Sequence, residues 1–144
     1  MPLPSATISP REVLKKYRVI AVVGASKNPT KDAHTVPLYL KEHGYRVVPI
    51  NPSADELFGE KAYPSLLDLP DALANEIEVV EVFRPSEDLP EVARQAVEVG
   101  KRRGRPLVFW AQKGLENEEA KETLSSNGAL YVMNACMRVV HGTM

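Results

Sequence analysis

Apolar residues in this chain come in short runs that stop abruptly. Val19-Ile20-Ala21-Val22-Val23 ends at Gly24-Ala25-Ser26, Val47-Val48-Pro49-Ile50 ends at Asn51-Pro52-Ser53, and Val79-Val80-Glu81-Val82 ends at Phe83-Arg84-Pro85. Short, nearly continuous apolar runs rich in β-branched residues predict strands buried on both faces. Leu107-Val108-Phe109-Trp110 and Leu130-Tyr131-Val132-Met133 predict two more. Between the runs the spacing turns helical. Ser9-Pro10-Arg11-Glu12 supplies the hydroxyl, proline and glutamate of a capping box, with Val13, Leu14 and Tyr17 following on one face. A second helix carries Val36, Leu38, Tyr39 and Leu40 and stops at Gly44. Pro37 belongs in its first turn, where no hydrogen bond is lost, and Thr35 becomes the expected N-cap.

The second strand spans about Arg46 to Ile50. The stretch from Asn51 to Pro70 reads as irregular, punctuated by Pro52, Gly59, Pro64 and Pro70, with Ser65 capping a turn at Leu66 to Leu69. A third strand runs from about Ile77 to Phe83. Leu89, Val92, Ala93, Ala96, Val97 and Gly100 then form the most regular helical face in the chain. Glu118 to Ser126 predicts a helix closed by Gly128, and a last helix starts near Asn134 and carries Cys136, Val139 and Val140. Strand and helix alternate strictly. That order predicts an α/β fold, a three-layer doubly wound sheet of about five mainly parallel strands with right-handed crossovers. Ligands of such sheets bind outside the carboxyl ends of the strands, where strand order reverses. The polar tips are therefore the expected rim of a site.

At 144 residues, 44% hydrophobic and 26% charged, the chain suits one domain over 1–144, with 1–8 read as a loose arm. A formal net charge of -1 argues against general nucleic-acid binding, which needs a basic excess to displace counterions. The basic run Lys101-Arg102-Arg103 with Arg105 falls at a helix end and reads as solvated charge favoured by the helix dipole. Cys136 is the only cysteine, so no intrachain disulfide forms and a cytoplasmic location is the default. No apolar run approaches the ~20 residues that span a bilayer.

Gly24-Ala25-Ser26 are small enough to let a phosphate approach the backbone ahead of a helix start, and Lys27 and Lys31 add positive charge. A tight turn with two solvated lysines is the alternative. Gly24 is the only glycine before Gly44, so no G-x-G-x-x-G is possible, and the second strand ends in Ile50-Asn51-Pro52 without the acid that would hold a ribose hydroxyl. No P-loop occurs either. His34, His43 and His141 share no metal-ligand spacing with Cys136. His43 beside Gly44 reads as a helix-end residue and His34 as a hydrogen-bonding one. Cys136 reads either as a small core residue or as a reactive thiol at a helix start. Trp110 and Phe83 stack on a planar ligand or fill the core. Arg84, just past a buried strand, suits a phosphate or an adenine face, or is simply solvated.

These pieces, with Leu40-Lys41-Glu42-His43-Gly44-Tyr45-Arg46-Val47, Gly59-Glu60-Lys61-Ala62-Tyr63-Pro64-Ser65-Leu66 and Trp110-Ala111-Gln112-Lys113-Gly114, stand in an order that is specific together. From Val19 to His141 the chain resembles the small stand-alone coenzyme A-binding proteins. Their Rossmann-like domain is similar to the CoA-binding domain of succinyl-CoA synthetase alpha subunits. The resemblance implies that Gly24, Ala25, Ser26, Lys27 and Lys31 meet phosphates and that Asn51, Pro52 and Ser53 meet the ADP moiety. It assigns Phe83, Arg84 and Pro85 to the adenine side and the start of the pantetheine arm. Relatives often carry Asp-Arg-Cys where this chain has Asn134-Ala135-Cys136, so the chain departs from the family pattern by lacking that acidic-basic pair. The expectation is a binder of coenzyme A or an acyl-CoA, without catalytic residue or metal, acting as a carrier, sensor or accessory protein. The alternatives are an enzyme acting on CoA thioesters or CoA disulfide through Cys136, and an NAD(P)- or nucleotide-binding regulatory domain.

Overall fold

The computed structural model describes residues 8–144. In chain order the elements are α1 (Pro10–Lys16), β1 (Val19–Val23), α2 (Asp32–Glu42), β2 (Arg46–Ile50), β3 (Glu56–Leu57), β4 (Glu60–Lys61), α3 (Asp71–Ala74), β5 (Val79–Val82), α4 (Leu89–Arg103), β6 (Val108–Ala111), α5 (Glu118–Ser126), β7 (Tyr131–Val132) and α6 (Met137–Gly142). Five strands form one sheet in the order β2-β1-β5-β6-β7, every neighbouring pair parallel. The predicted doubly wound α/β architecture is present. Strand order reverses between β1 and β5, so the crevice of such a sheet opens at Val23 and Val82.

Side chains alternate along each strand, and the two faces bury separate cores. Ala21, Val48, Val80, Val82 and Phe109 pack with α4 and α5, whereas Ile20, Val22, Val47, Val79 and Trp110 pack with α1, α2 and α6. Trp110 is fully buried, and its indole N–H donates to the Ala135 carbonyl at 2.8 Å. One strand residue breaks the apolar pattern. Glu81 pairs in register with Val22 and Trp110, on the α2 and α6 face, and is 0% exposed. Neither carboxyl oxygen has a partner among the described residues, and burial pushes the group up to about 8. It is therefore protonated at neutral pH.

Four sequence expectations are corrected. α2 begins at Asp32 with Lys31 at the cap, so Thr35 is not the N-cap and Pro37 lies inside the helix. A proline at 37 has no N–H for the Ala33 carbonyl. That carbonyl instead accepts the Ser26 N–H at 3.1 Å, so the proline's missing donor is replaced by the β1 tip loop. The Ser9 side chain makes no cap bond, and only its carbonyl meets the first turn, from Val13 N–H at 3.2 Å. Within 51–70 the chain forms an antiparallel β3–β4 hairpin, closed by Phe58 and Gly59 at φ 54 and 75, the left-handed pair a two-residue hairpin turn requires. Ser65 does cap the turn at Leu66–Asp68, accepting from Leu67 N–H at 3.2 Å. Arg103 and Arg105 are not merely solvated. Arg103 donates to the Ala74, Ile77 and Pro106 carbonyls and Arg105 to that of Asn75, fastening α3 and the start of β5 to the end of α4. Of the expected arm, Ile8 packs against the α1 and α2 core, and 1–7 lie outside the described residues.

Candidate functional site

The tips of β1 and β5 close on each other at Gly24. Its φ is 84, its N–H donates to the Ile50 carbonyl at 3.1 Å, and a Cβ there would lie 2.7 Å from the Phe83 carbonyl oxygen. Only glycine suits both the backbone angle and the space. Phe83 N–H donates in turn to the Val23 carbonyl at 2.9 Å, and the Arg84 stem lies 3.3 Å from where that Cβ would be. Beside this contact opens a cleft of about 300 Å³. Ile50, Pro52, Pro64 and Val92 give it apolar walls, and Arg84, Asp88 and Glu91 give it charge of both signs. Arg84 is held by Asp88 at 2.9 Å, both half-exposed.

The loop after Gly24 is internally bonded. Ser26 donates its N–H to the Ala33 carbonyl, takes the His34 ring Nδ1 on its own carbonyl at 2.7 Å, and accepts the Asn28 N–H on its hydroxyl at 3.1 Å. His34 thus has the hydrogen-bonding role expected of it. The Asn28 side chain receives Thr30 N–H, and its carbonyl receives Lys31 N–H. Within the loop 25–31 of the described residues this leaves the N–H groups of Ala25 and Lys27 without a hydrogen-bond partner, and of the two only Lys27 is exposed, a smaller anion site than the run of small residues implies.

The β2 tip is tied to the same loop. Asn51 donates its amide to the Ala25 carbonyl at 2.6 Å and accepts Ser53 N–H at 2.6 Å, while Lys27 Nζ reaches the Ser53 carbonyl at 3.1 Å. Both ends of the Asn51 side chain are therefore occupied within the protein. Asn51 works here as a clamp between loops.

The predicted site residues separate into groups. Gly24, Pro52 and Arg84 line the cleft, with Lys27 and Ser53 joined beside it. Ala25 is buried as a whole residue in the core on the α2 side. Phe83 is half-buried against the α2 and α6 core, on the opposite face from Arg84. Strand alternation carried past Val82 contains that signal. Lys31 is exposed at the start of α2, and exposed Pro85 precedes the turn at Ser86–Asp88. Pro64, Val92, Asp88, Glu91 and Gln95 also line the cleft and were not singled out from sequence. Val92 shares the buried stripe of α4, and periodicity does not separate a first-turn lining residue from a core one.

After β7, Asn134 adopts φ 59 and its Oδ1 accepts Gly114 N–H at 2.7 Å. The asparagine at the departure from Asp-Arg-Cys thus serves as a backbone clamp. His43 Nδ1 lies 2.6 Å from the Tyr39 carbonyl, the helix-end contact expected of it. Among the described residues no group of three His, Cys, Asp or Glu gathers as a metal site, and no helix is long and apolar enough to cross a membrane.

A family model described as CoA binding domain matches residues 18–142. The chain is 40% identical over 131 residues to the uncharacterized protein YneT of Bacillus subtilis, covering 91% of this chain and 90% of that one. The acetate–CoA ligase (ADP-forming) II of Archaeoglobus fulgidus is 34% identical over 83 residues, 56% of this chain but 12% of the ligase. Among solved structures, a hypothetical protein from Pyrococcus horikoshii superposes with a TM-score of 0.83 at 38% identity, covering 99% of this chain and 96% of that one.

Proposed function

The chain belongs to the CoA binding domain family, and from that premise we propose that it binds coenzyme A or an acyl-CoA along the carboxyl rim of the sheet, as a carrier, sensor or accessory protein. The adenine end enters the cleft between Pro52, Pro64 and Val92, where apolar walls cover a planar base and the half-exposed Arg84 guanidinium lies against it. Asp88 and Glu91 make this cleft a poor place for phosphates. The phosphates sit instead at the tip loop after Gly24, where Lys27 and Lys31 are exposed and the Lys27 N–H is unpaired among the described residues. A reducing cytoplasm suits the lone Cys136.

The observation that carries this reading over a dinucleotide is the state of the β2 tip. Asn51 stands where NAD-binding sheets carry an acid for the ribose diol, and both ends of its side chain are already bonded to Ala25 and Ser53. NAD finds no ribose partner there. The test is a thermal-shift and calorimetric comparison of CoA, dephospho-CoA and NAD. At ~100 Kd, CoA adds roughly 2.7 kcal/mol of stability. NAD stabilising the protein as much as CoA overturns the assignment.

A further inference from the structure

Away from the rim, the fold brings together two of the chain's three histidines. His43 caps the end of α2, His141 lies in α6, and their ring centres stand 5.2 Å apart. One residue holds both rings. Tyr39 presents its backbone carbonyl to His43 Nδ1 at 2.6 Å and its hydroxyl to His141 Nδ1 at 2.9 Å, and its own ring stacks on His43 with centres 3.9 Å apart. Tyr45 closes the group, edge-on to His141 at 5.7 Å and fixed by its hydroxyl, which donates to the Leu14 carbonyl at 2.6 Å.

These contacts decide which ring nitrogens are free. A carbonyl only accepts, so His43 Nδ1 carries the proton and the lone pair of the neutral ring is on Nε2. His141 Nδ1 meets a hydroxyl, whose oxygen accepts from it and leaves the same nitrogen free. Neither Nε2 has a hydrogen-bond partner among the described residues. An imidazole oriented through Nδ1–H by an oxygen, with Nε2 bare, is the form in which histidine ligates a metal ion. The spacing agrees. With metal–nitrogen bonds of about 2.0–2.1 Å at a tetrahedral angle, two imidazoles on one ion have ring centres about 5 Å apart. His43 is exposed and His141 half-buried, so an ion reaches the pair from solvent.

We propose that His43 and His141 together bind one divalent ion of the class that favours imidazole, Zn²⁺, Cu²⁺ or Ni²⁺, and that this ion clips α6 to the end of α2. Two protein ligands leave the remaining positions to water or a small anion. Arg138, whose guanidinium lies 5.3 Å over the Tyr39 ring, favours the anion. The clip adds to contacts that already hold α6, the buried Met137 and the bond from Arg11 to the Thr143 hydroxyl at 3.1 Å. Only folding brings the two histidines together, so the ion binds the folded chain in preference and stabilises it. The proposal is independent of the CoA reading.

The experiment is calorimetry and thermal melts of the full chain with zinc chloride, followed by a chelator. One Zn²⁺ binds per chain and raises the melting temperature, the chelator reverses the rise, and Mg²⁺, which keeps to oxygen ligands, produces neither effect. His43→Ala alters an exposed helix end, and His141→Gln keeps a polar side chain in α6. Each lowers Zn²⁺ affinity about tenfold or more and removes the rise in melting temperature, whereas Cys136→Ser retains both. Tyr39 acts as a positioning residue. Tyr39→Phe keeps the stack and the carbonyl but takes the hydroxyl from His141, and weakens Zn²⁺ about 10–100-fold with the metal-free melting temperature little changed. If the wild-type chain takes up no Zn²⁺, if His43→Ala binds it as the wild type does, or if Cys136→Ser loses it, the proposal is overturned.

Discussion

At the amino end of the sheet, Arg103 gives its guanidinium to three backbone carbonyls, Arg105 reaches the Asn75 carbonyl, and Arg46 bridges Glu60 and Glu76 at 2.8 and 2.6 Å. At the carboxyl end, Lys27 holds one carbonyl and Arg84 one half-exposed carboxylate. Lys31, Lys113 and Arg138 are in no ion pair among the described residues. The residue types are alike and their employment is opposite. A guanidinium offers five donors, and one whose donors are filled by the backbone fastens the fold. A cation with donors to spare at a strand tip is available to an anion. The net charge of -1 conceals this division, because it counts both kinds equally.

The largest test of the contrast is at the tip itself. Gly24→Val places a β-branched side chain at φ 84 and a Cβ 2.7 Å from the Phe83 carbonyl. Strain and overpacking together cost about 3–5 kcal/mol in urea unfolding, with the CoA response lost alongside. An unchanged unfolding midpoint would mean that the β1 and β5 tips are not locked together.

Next is Glu81, between the two ends. Its folded carboxyl is raised from 4.5 to about 8 by burial, so the folded chain keeps a proton that the unfolded chain gives up. The stability tied to that proton is fully present below about pH 4.5, declines as pH rises toward 8, and is gone above it, with a slope of at most about 1.4 kcal/mol per pH unit. Glu81→Gln removes this slope. Equal slopes for wild type and variant in denaturant titrations at pH 5.5, 7 and 8.5 would assign the pH dependence elsewhere.

Arg103→Ala leaves the Ala74, Ile77 and Pro106 carbonyls without their donor, and a loss of about 2–4 kcal/mol of stability is expected with CoA affinity intact. Arg84→Ala is the mirror experiment. Its ion pair with Asp88 is half-exposed and worth about 0–1 kcal/mol to the fold, whereas its loss weakens CoA binding by roughly 1.5–3 kcal/mol. Calorimetry and thermal melts on the two variants together decide the matter. If Arg103→Ala weakens CoA binding, or Arg84→Ala lowers the melting temperature as much as Arg103→Ala does, the division between the two ends is wrong.

Much of the fold is legible in the sequence. The apolar runs mark all five strands of the main sheet, and α5 lies where Glu118 to Ser126 and Gly128 place it, with Asn117 accepting Ala120 N–H as its cap. The β3–β4 hairpin leaves no such mark, because Glu56-Leu57 and Glu60-Lys61 are too short to show a period. The polar tips mark a rim in the sequence, but not which face of the sheet each tip residue joins. Alternation sends Phe83 and Arg84 to opposite faces, and Gln112 to the face of Trp110.

What the chain determined by itself is the part of the problem that is local: where burial begins and ends, which turns need glycine, and that strand and helix alternate. A hydrophobic period and a left-handed turn are properties of neighbouring residues, so they can be read in order. The tertiary structure decided which polar groups are already engaged. Pro37 sits inside α2 because a loop N–H from Ser26 takes the carbonyl it leaves without a donor. Arg103 serves the fold because three carbonyls from two other segments converge on it. Hydrogen bonds between distant segments leave no period in a sequence, and at this rim they separate the residues that hold the site together from those that are open to a ligand.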